Sequence, residues 1–131
     1  MGLFGGIFGK GDGEGKKSKP EIPWIALTSI EQLDEIVAKS SGKPQFIFKH
    51  STTCGISRMV LNMFTSGYSL ESNQADFYFL DLHAHREVSN GVAQKFQVMH
   101  QSPQLLVVKN GVVVAHSSHG AISEIALEQY I

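Results

Sequence analysis

The chain predicts an α/β fold in which a mixed central β-sheet is flanked by helices on both faces. Short apolar runs of strand type alternate with stretches whose apolar residues recur at helical offsets. An Asn110-Gly111 pair separates two β-branched runs near the C-terminal end, which marks a hairpin. The 131 residues, 42% apolar and 18% charged, suffice for one compact core.

Residues 1–20 hold seven of the thirteen glycines and four lysines against two acids, too much backbone entropy and too little apolar area to pack. They read as a flexible tail ahead of a domain over 21–131. Leu3, Phe4, Ile7 and Phe8 do fall at helical spacing before Lys10, Lys16, Lys17 and Lys19, the pattern of a surface-docking helix, against which the glycines argue. Trp24 to Leu27 reads as a strand. Thr28-Ser29-Ile30-Glu31 offers a capping box to a helix carrying Ile30, Leu33, Ile36 and Val37, ended by Gly42 and Pro44. Gln45 to Lys49 is a buried strand because Phe46, Ile47 and Phe48 are consecutive. From Gly55 the residues Ile56, Met59, Val60, Met63 and Phe64 predict a helix stopped by Gly67, with that face on the sheet. Phe77 to Leu82 follows as a strand, Arg86 to Phe96 as a helix, and Leu105–Val108 with Val112–Val114 as antiparallel strands. A last helix from about Ala121 is expected to bury Ile122, Ile125 and Ala126.

The net charge of −1 gives no field suited to nucleic acid or acidic substrates. Apolar stretches stop far short of a bilayer span, and no export signal is evident. A single cysteine excludes an internal disulfide, and a free thiol fits a reducing compartment, so the expected address is the cytoplasm.

That cysteine, Cys54, lies between the buried strand and the next helix. Backbone N–H groups and the positive dipole end at such a junction generally favour thiolate over thiol, so Cys54 is the candidate nucleophile. Small or polar neighbours, Thr52, Thr53, Gly55 and Ser57, suit a junction open to solvent. Ser57 caps the helix, donates to the Cys54 sulfur, or does both, and it stands where dithiol redox proteins carry a resolving cysteine. A mixed disulfide at Cys54 then needs an outside thiol for its release. Lys49 either snorkels to solvent or sits as a cation near the thiolate, where it would receive a carboxylate of a small thiol. His50 either assists proton transfer or is a surface residue at a strand end. The remaining histidines, His83 among them, are scattered; no zinc set is complete, no bound metal is expected, and no nucleophile elbow is present.

The segment Lys49-His50-Ser51-Thr52-Thr53-Cys54-Gly55-Ile56-Ser57, with the later Ser102-Pro103-Gln104, resembles the YtxJ-like bacillithiol-system redox family over about Trp24 to Ile131. The resemblance implies a thioredoxin-like fold, and a monothiol, bacilliredoxin-like activity in which Cys54 takes bacillithiol from S-thiolated client proteins. It further implies that Lys49, His50, Thr53, Gly55, Ile56, Ser57, Ser102 and Pro103 support the thiol substrate, and that Pro103 is cis and faces the cysteine. From general statistics alone, a trans proline opening a strand is the commoner case. Members of the family typically have proline where this chain has Gly55, which loosens the helix start. Gly55-Ile56-Ser57 is also similar to monothiol glutaredoxins, which use glutathione and can carry an iron–sulfur cluster between protomers; the glycine pair and acid that help them hold glutathione are not evident around His119-Gly120-Ala121-Ile122. The expected partners are thus S-thiolated proteins and a low-molecular-weight thiol, bacillithiol or glutathione, acting on a monomer. The rivals are an iron–sulfur carrier and a non-catalytic adaptor domain.

Overall fold

The computed structural model describes residues 22–71 and 73–131; the Gly/Lys-rich stretch, with Leu3, Phe4, Ile7 and Phe8, lies outside the described residues. Strands β1 (Trp24–Ala26), β2 (Gln45–His50), β3 (Asp76–Asp81), β4 (Gln104–Lys109) and β5 (Val112–Ser118) form one sheet in the order β1-β3-β2-β4-β5. Three of them, β1, β3 and β2, are mutually parallel, whereas β4 runs antiparallel to both β2 and β5. Helices α1 (Glu31–Lys39), α2 (Gly55–Ser66) and α3 (Arg86–Phe96) connect them.

Alternation along β2 divides the core in two. Phe46 and Phe48 point to the face covered by Val60 and Phe64 of α2, together with Ile122 and Leu127. Ile47 points the other way, onto Leu33 and Ile36 of α1 and Val88, Val92 and Phe96 of α3. Burying three consecutive large side chains, each worth about 1.5–3 kcal/mol, fixes β2 as the central strand. At the far end, Asn110 (φ 53°) and Gly111 (φ 82°) both adopt the left-handed conformation that the tight β4–β5 hairpin demands. The Ser40 carbonyl and hydroxyl accept from the Asn110 and Gly111 N–H groups at 2.9 and 2.8 Å, which ties the end of α1 to that hairpin.

Three sequence expectations require correction. The Thr28/Glu31 capping box is replaced by a Gln32 cap: its Oε1 accepts from the N–H groups of Thr28 (2.7 Å) and Ser29 (3.0 Å). The apolar face assigned to α2 splits: Val60 and Phe64 are buried, while Ile56, Met59 and Met63 are 56%, 56% and 47% exposed. The C-terminal helix is instead two short 3-10 segments, His119–Glu124 and Leu127–Tyr130, with Ile125 and Ala126 extended between them and Ala126 exposed. The side chains actually buried, Ile122 and Leu127, are five residues apart and would fall roughly 140° apart on an α-helix, so a continuous helix could not set both against the sheet.

Candidate active site

Cys54 ends the loop that leaves β2 and is the N-cap of α2, in extended conformation (φ −107°, ψ 121°). Its N–H donates to the Ser51 carbonyl (3.3 Å), and its own carbonyl accepts from Arg58 N–H (3.2 Å), which sets the first turn of the helix. The thiol is free and partly exposed. No side chain caps α2 at Cys54, and the first turn contains no acidic residue, so the N–H groups of that turn face the loop without a competing carboxylate.

Ser57 is fully buried one turn into α2. Its hydroxyl accepts from Ser51 N–H (3.1 Å) and lies 2.9 Å from His50 Nδ1. Neither role offered by the sequence applies: Ser57 makes no helix cap, and its hydrogen bonds among the described residues go to Ser51 and His50, not to the Cys54 sulfur. His50 is likewise buried rather than on the surface. Burial pushes its pKa below the ordinary 6.5, Asp81 pulls it back up, and Arg58 lowers it further. Neutral His50 can accept the Ser57 hydroxyl proton at Nδ1 and so orient it toward the Ser51 amide.

Lys49 departs most from expectation. It is fully buried and does not snorkel. Strand alternation turns it to the α3 face, opposite to α2, where its Nζ donates to the Ser89 carbonyl (3.3 Å) and lies 3.2 Å from His100 Nδ1. Desolvation lowers its pKa from 10.5 to about 8.

The Ser102–Pro103 peptide is cis. Lys49 of β2 pairs with Gln104 of β4, so the end of β2 that launches the Cys54 loop lies beside the start of β4 that follows Pro103. Ser102 Oγ is buried without a protein hydrogen-bond partner among the described residues, and the Pro103 carbonyl accepts from His119 N–H (3.0 Å). Gly55 and Ile56 open α2, with Ile56 projecting outward beside the thiol loop.

His83 was not singled out by the sequence, yet its Nε2 lies 2.9 Å from Ser51 Oγ and 3.3 Å from Thr53 Oγ1, in the loop that carries Cys54. The parallel register of β2 and β3 pairs His50 with Asp81, which sets the residues just after β3 beside those just after β2. Only that pairing reveals the contact. The same histidine lines an open crevice of about 620 Å³ with His85, Arg86 and the turn before α1. Among the described residues, no three histidine, cysteine or acidic groups converge as a metal would require.

A lone, partly exposed thiol at a helix start, near a cis-proline on a mixed five-stranded sheet, defines a thioredoxin-fold redox protein with one cysteine. More narrowly, the model of the monothiol bacilliredoxin BrxC family matches residues 25–127, and the chain belongs to that family. A solved structure described as a candidate oxidoreductase with a thioredoxin fold is 34% identical, with a TM-score of 0.68, over 82% of this chain and 92% of that one. The thioredoxin of Malassezia sympodialis shares the fold at 17% identity and a TM-score of 0.67, over 86% of this chain and 93% of its own. The thioredoxin of Schistosoma mansoni does so at 19% identity and 0.62, covering 82% and 95%.

Proposed function

We propose that the protein removes a low-molecular-weight thiol, bacillithiol in preference to glutathione, from S-thiolated proteins. The observation that carries this reading is the single accessible thiol at the start of α2 with a buried serine, not a second cysteine, three residues on. The Cys54 thiolate attacks the small-thiol sulfur of a client disulfide. A new S–S bond forms at Cys54, the client S–S bond breaks, and the client leaves as thiolate. A second small thiol then attacks the adduct, leaves as the symmetrical disulfide and restores Cys54. The client disulfide is reduced by two electrons, and the balancing oxidation joins the removed and the attacking small thiols in one disulfide.

Thr53, Gly55 and Ile56 shape the rim of the site, and Ser57 with His50 holds the loop before Cys54. Ser102 Oγ, buried and without a partner among the described residues, offers a hydrogen bond to the incoming group beside Pro103. A free thiol of this kind works where thiols stay reduced, so we assign the activity to the cytoplasm and to a monomer. Incubation with bacillithiol disulfide and, separately, glutathione disulfide, followed by intact mass, tests the reading. One adduct is expected on the wild type, faster with bacillithiol, and none on Cys54→Ser. A faster glutathione adduct would replace the co-substrate; a brown, cluster-bearing dimer without adduct formation would overturn the oxidoreductase in favour of an iron–sulfur carrier.

A further inference from the structure

We propose that Lys49 and His100 are a positioning pair: through them β2 and α3 hold the 97–103 loop, and with it the Ser102–Pro103 peptide, in place for the exchange proposed above. The inference rests on that reading for its function but on separate geometry for its structure.

Within the loop, Val98 and Pro103 are buried, whereas Met99 and His100 are exposed and Gln101 is half-buried. None of residues 99–101 is itself buried. Polar ties hold them. From β4, Gln104 donates Nε2 to the Met99 carbonyl (3.0 Å), and its Oε1 accepts from Gln101 N–H (3.4 Å). From the neighbouring strand, Lys49 reaches the residue between them, with Nζ 3.2 Å from His100 Nδ1. Ser89 of α3 completes the cluster, its carbonyl 3.3 Å from Nζ and its hydroxyl 3.4 Å from His100 Nδ1. Three successive loop residues are therefore gripped by two buried side chains that are themselves cross-strand partners.

A cation at this position is a poor choice for stability. Lys49 is fully buried and has no carboxylate partner among the described residues, and an aliphatic side chain would fill the space without a desolvation cost. What only the ammonium supplies is a charged donor long enough to cross from β2 to His100. The contact is strongest with a charged Lys49 and needs an unprotonated Nδ1. Burial first, then Lys49 and Arg86 of α3, lowers the His100 pKa, so the ring stays neutral near pH 7. The cross-strand neighbours of Lys49, Gln104 on β4 and Leu80 on β3, and its α3 partner Ser89 are neutral. The grip accordingly weakens on both sides of neutrality, as His100 gains a proton or Lys49 loses one.

The test divides the rate of Cys54 adduct formation with bacillithiol disulfide by the rate of its alkylation with iodoacetamide at the same pH, which cancels the thiolate fraction. For the wild type this ratio is level near pH 7, falls above about pH 8 as Lys49 loses its proton, and falls again on the acid side as His100 gains one. Lys49→Met lowers it about tenfold at neutral pH and removes the alkaline fall, while melting no lower than the wild type. His100→Ala behaves likewise, and His100→Gln, whose carbonyl can still accept from Lys49, stays within about threefold of the wild type. A Lys49→Met protein with the wild-type ratio and profile would overturn the proposal. If the wild type is alkylated but forms no adduct, the exchange reading fails; hydrogen exchange at the Gln101 and Ser102 amides then judges the grip alone, faster exchange in Lys49→Met supporting it and equal exchange refuting it.

Discussion

Deleting the Ser57 hydroxyl removes the acceptor of the Ser51 N–H and the partner of His50 Nδ1 at once, and both groups are buried. An unpaired buried polar group costs about 1–3 kcal/mol, so Ser57→Ala is expected to lower the unfolding free energy by that order. Urea unfolding checks this, and a change under about 0.5 kcal/mol would mean that water replaces the hydroxyl. Cys54 and Ser57 were legible because loop and helix start are contiguous in the chain, so spacing alone places them. Lys49 was not legible in that way: three apolar residues precede it, the strand is buried on both faces, and nothing local says which face the lysine takes. His83 was hidden for a different reason. Its link to Ser51 and Thr53 spans some thirty residues and exists only because β3 lies parallel beside β2.

For the elements, the amphipathic reading of α2 located the helix correctly but named too wide a buried stripe. One helix can press only a limited arc against a sheet, and here Ser57, Val60 and Phe64 occupy it. Phe64→Ala is therefore expected to cost about 3–5 kcal/mol, whereas Met59→Ala and Met63→Ala stay within about 0.5 kcal/mol. Equal destabilisation by all three would restore the original face. The last helix failed on the same kind of evidence. Ile122, Ile125 and Ala126 have helical spacing, but the core takes Ile122 and Leu127, leaves Ile125 only partly buried and Ala126 exposed, and Ser123 Oγ closes a short turn onto the Gly120 carbonyl (2.9 Å). Hairpin chemistry was more dependable, because positive φ at two successive residues leaves few sequences to choose from. Replacing Gly111 (φ 82°) by valine is expected to cost about 1–2 kcal/mol, read as a lowered urea midpoint.

At the scale of the whole molecule, the buried bases set how stability responds to pH. Lys49 titrates near 10.5 when unfolded and at about 8 when folded. Between those values the unfolded chain binds the extra proton, so the unfolding free energy rises with pH across that window. His50 and His100 are held below 6.5, which means that as pH falls through 6.5 the unfolded state charges first and stability is lost on the acid side. Tyr68 and Tyr78, raised above 10 mainly by burial, act in the opposite sense to Lys49: above pH 10 the unfolded chain ionises first and stability falls. Urea midpoints should therefore climb as pH rises toward 6.5, where the histidines are neutral in both states, and climb again from about pH 8 until the tyrosines oppose the rise above 10. In Lys49→Met the folded state no longer hides a charge, so the protein gains ~1–3 kcal/mol at neutral pH and loses the climb that begins at about pH 8, while the acid limb given by the histidines remains. Parallel curves for the two proteins would mean that the ammonium is hydrated in solution, and that the 97–103 loop opens far enough to admit water beneath His100.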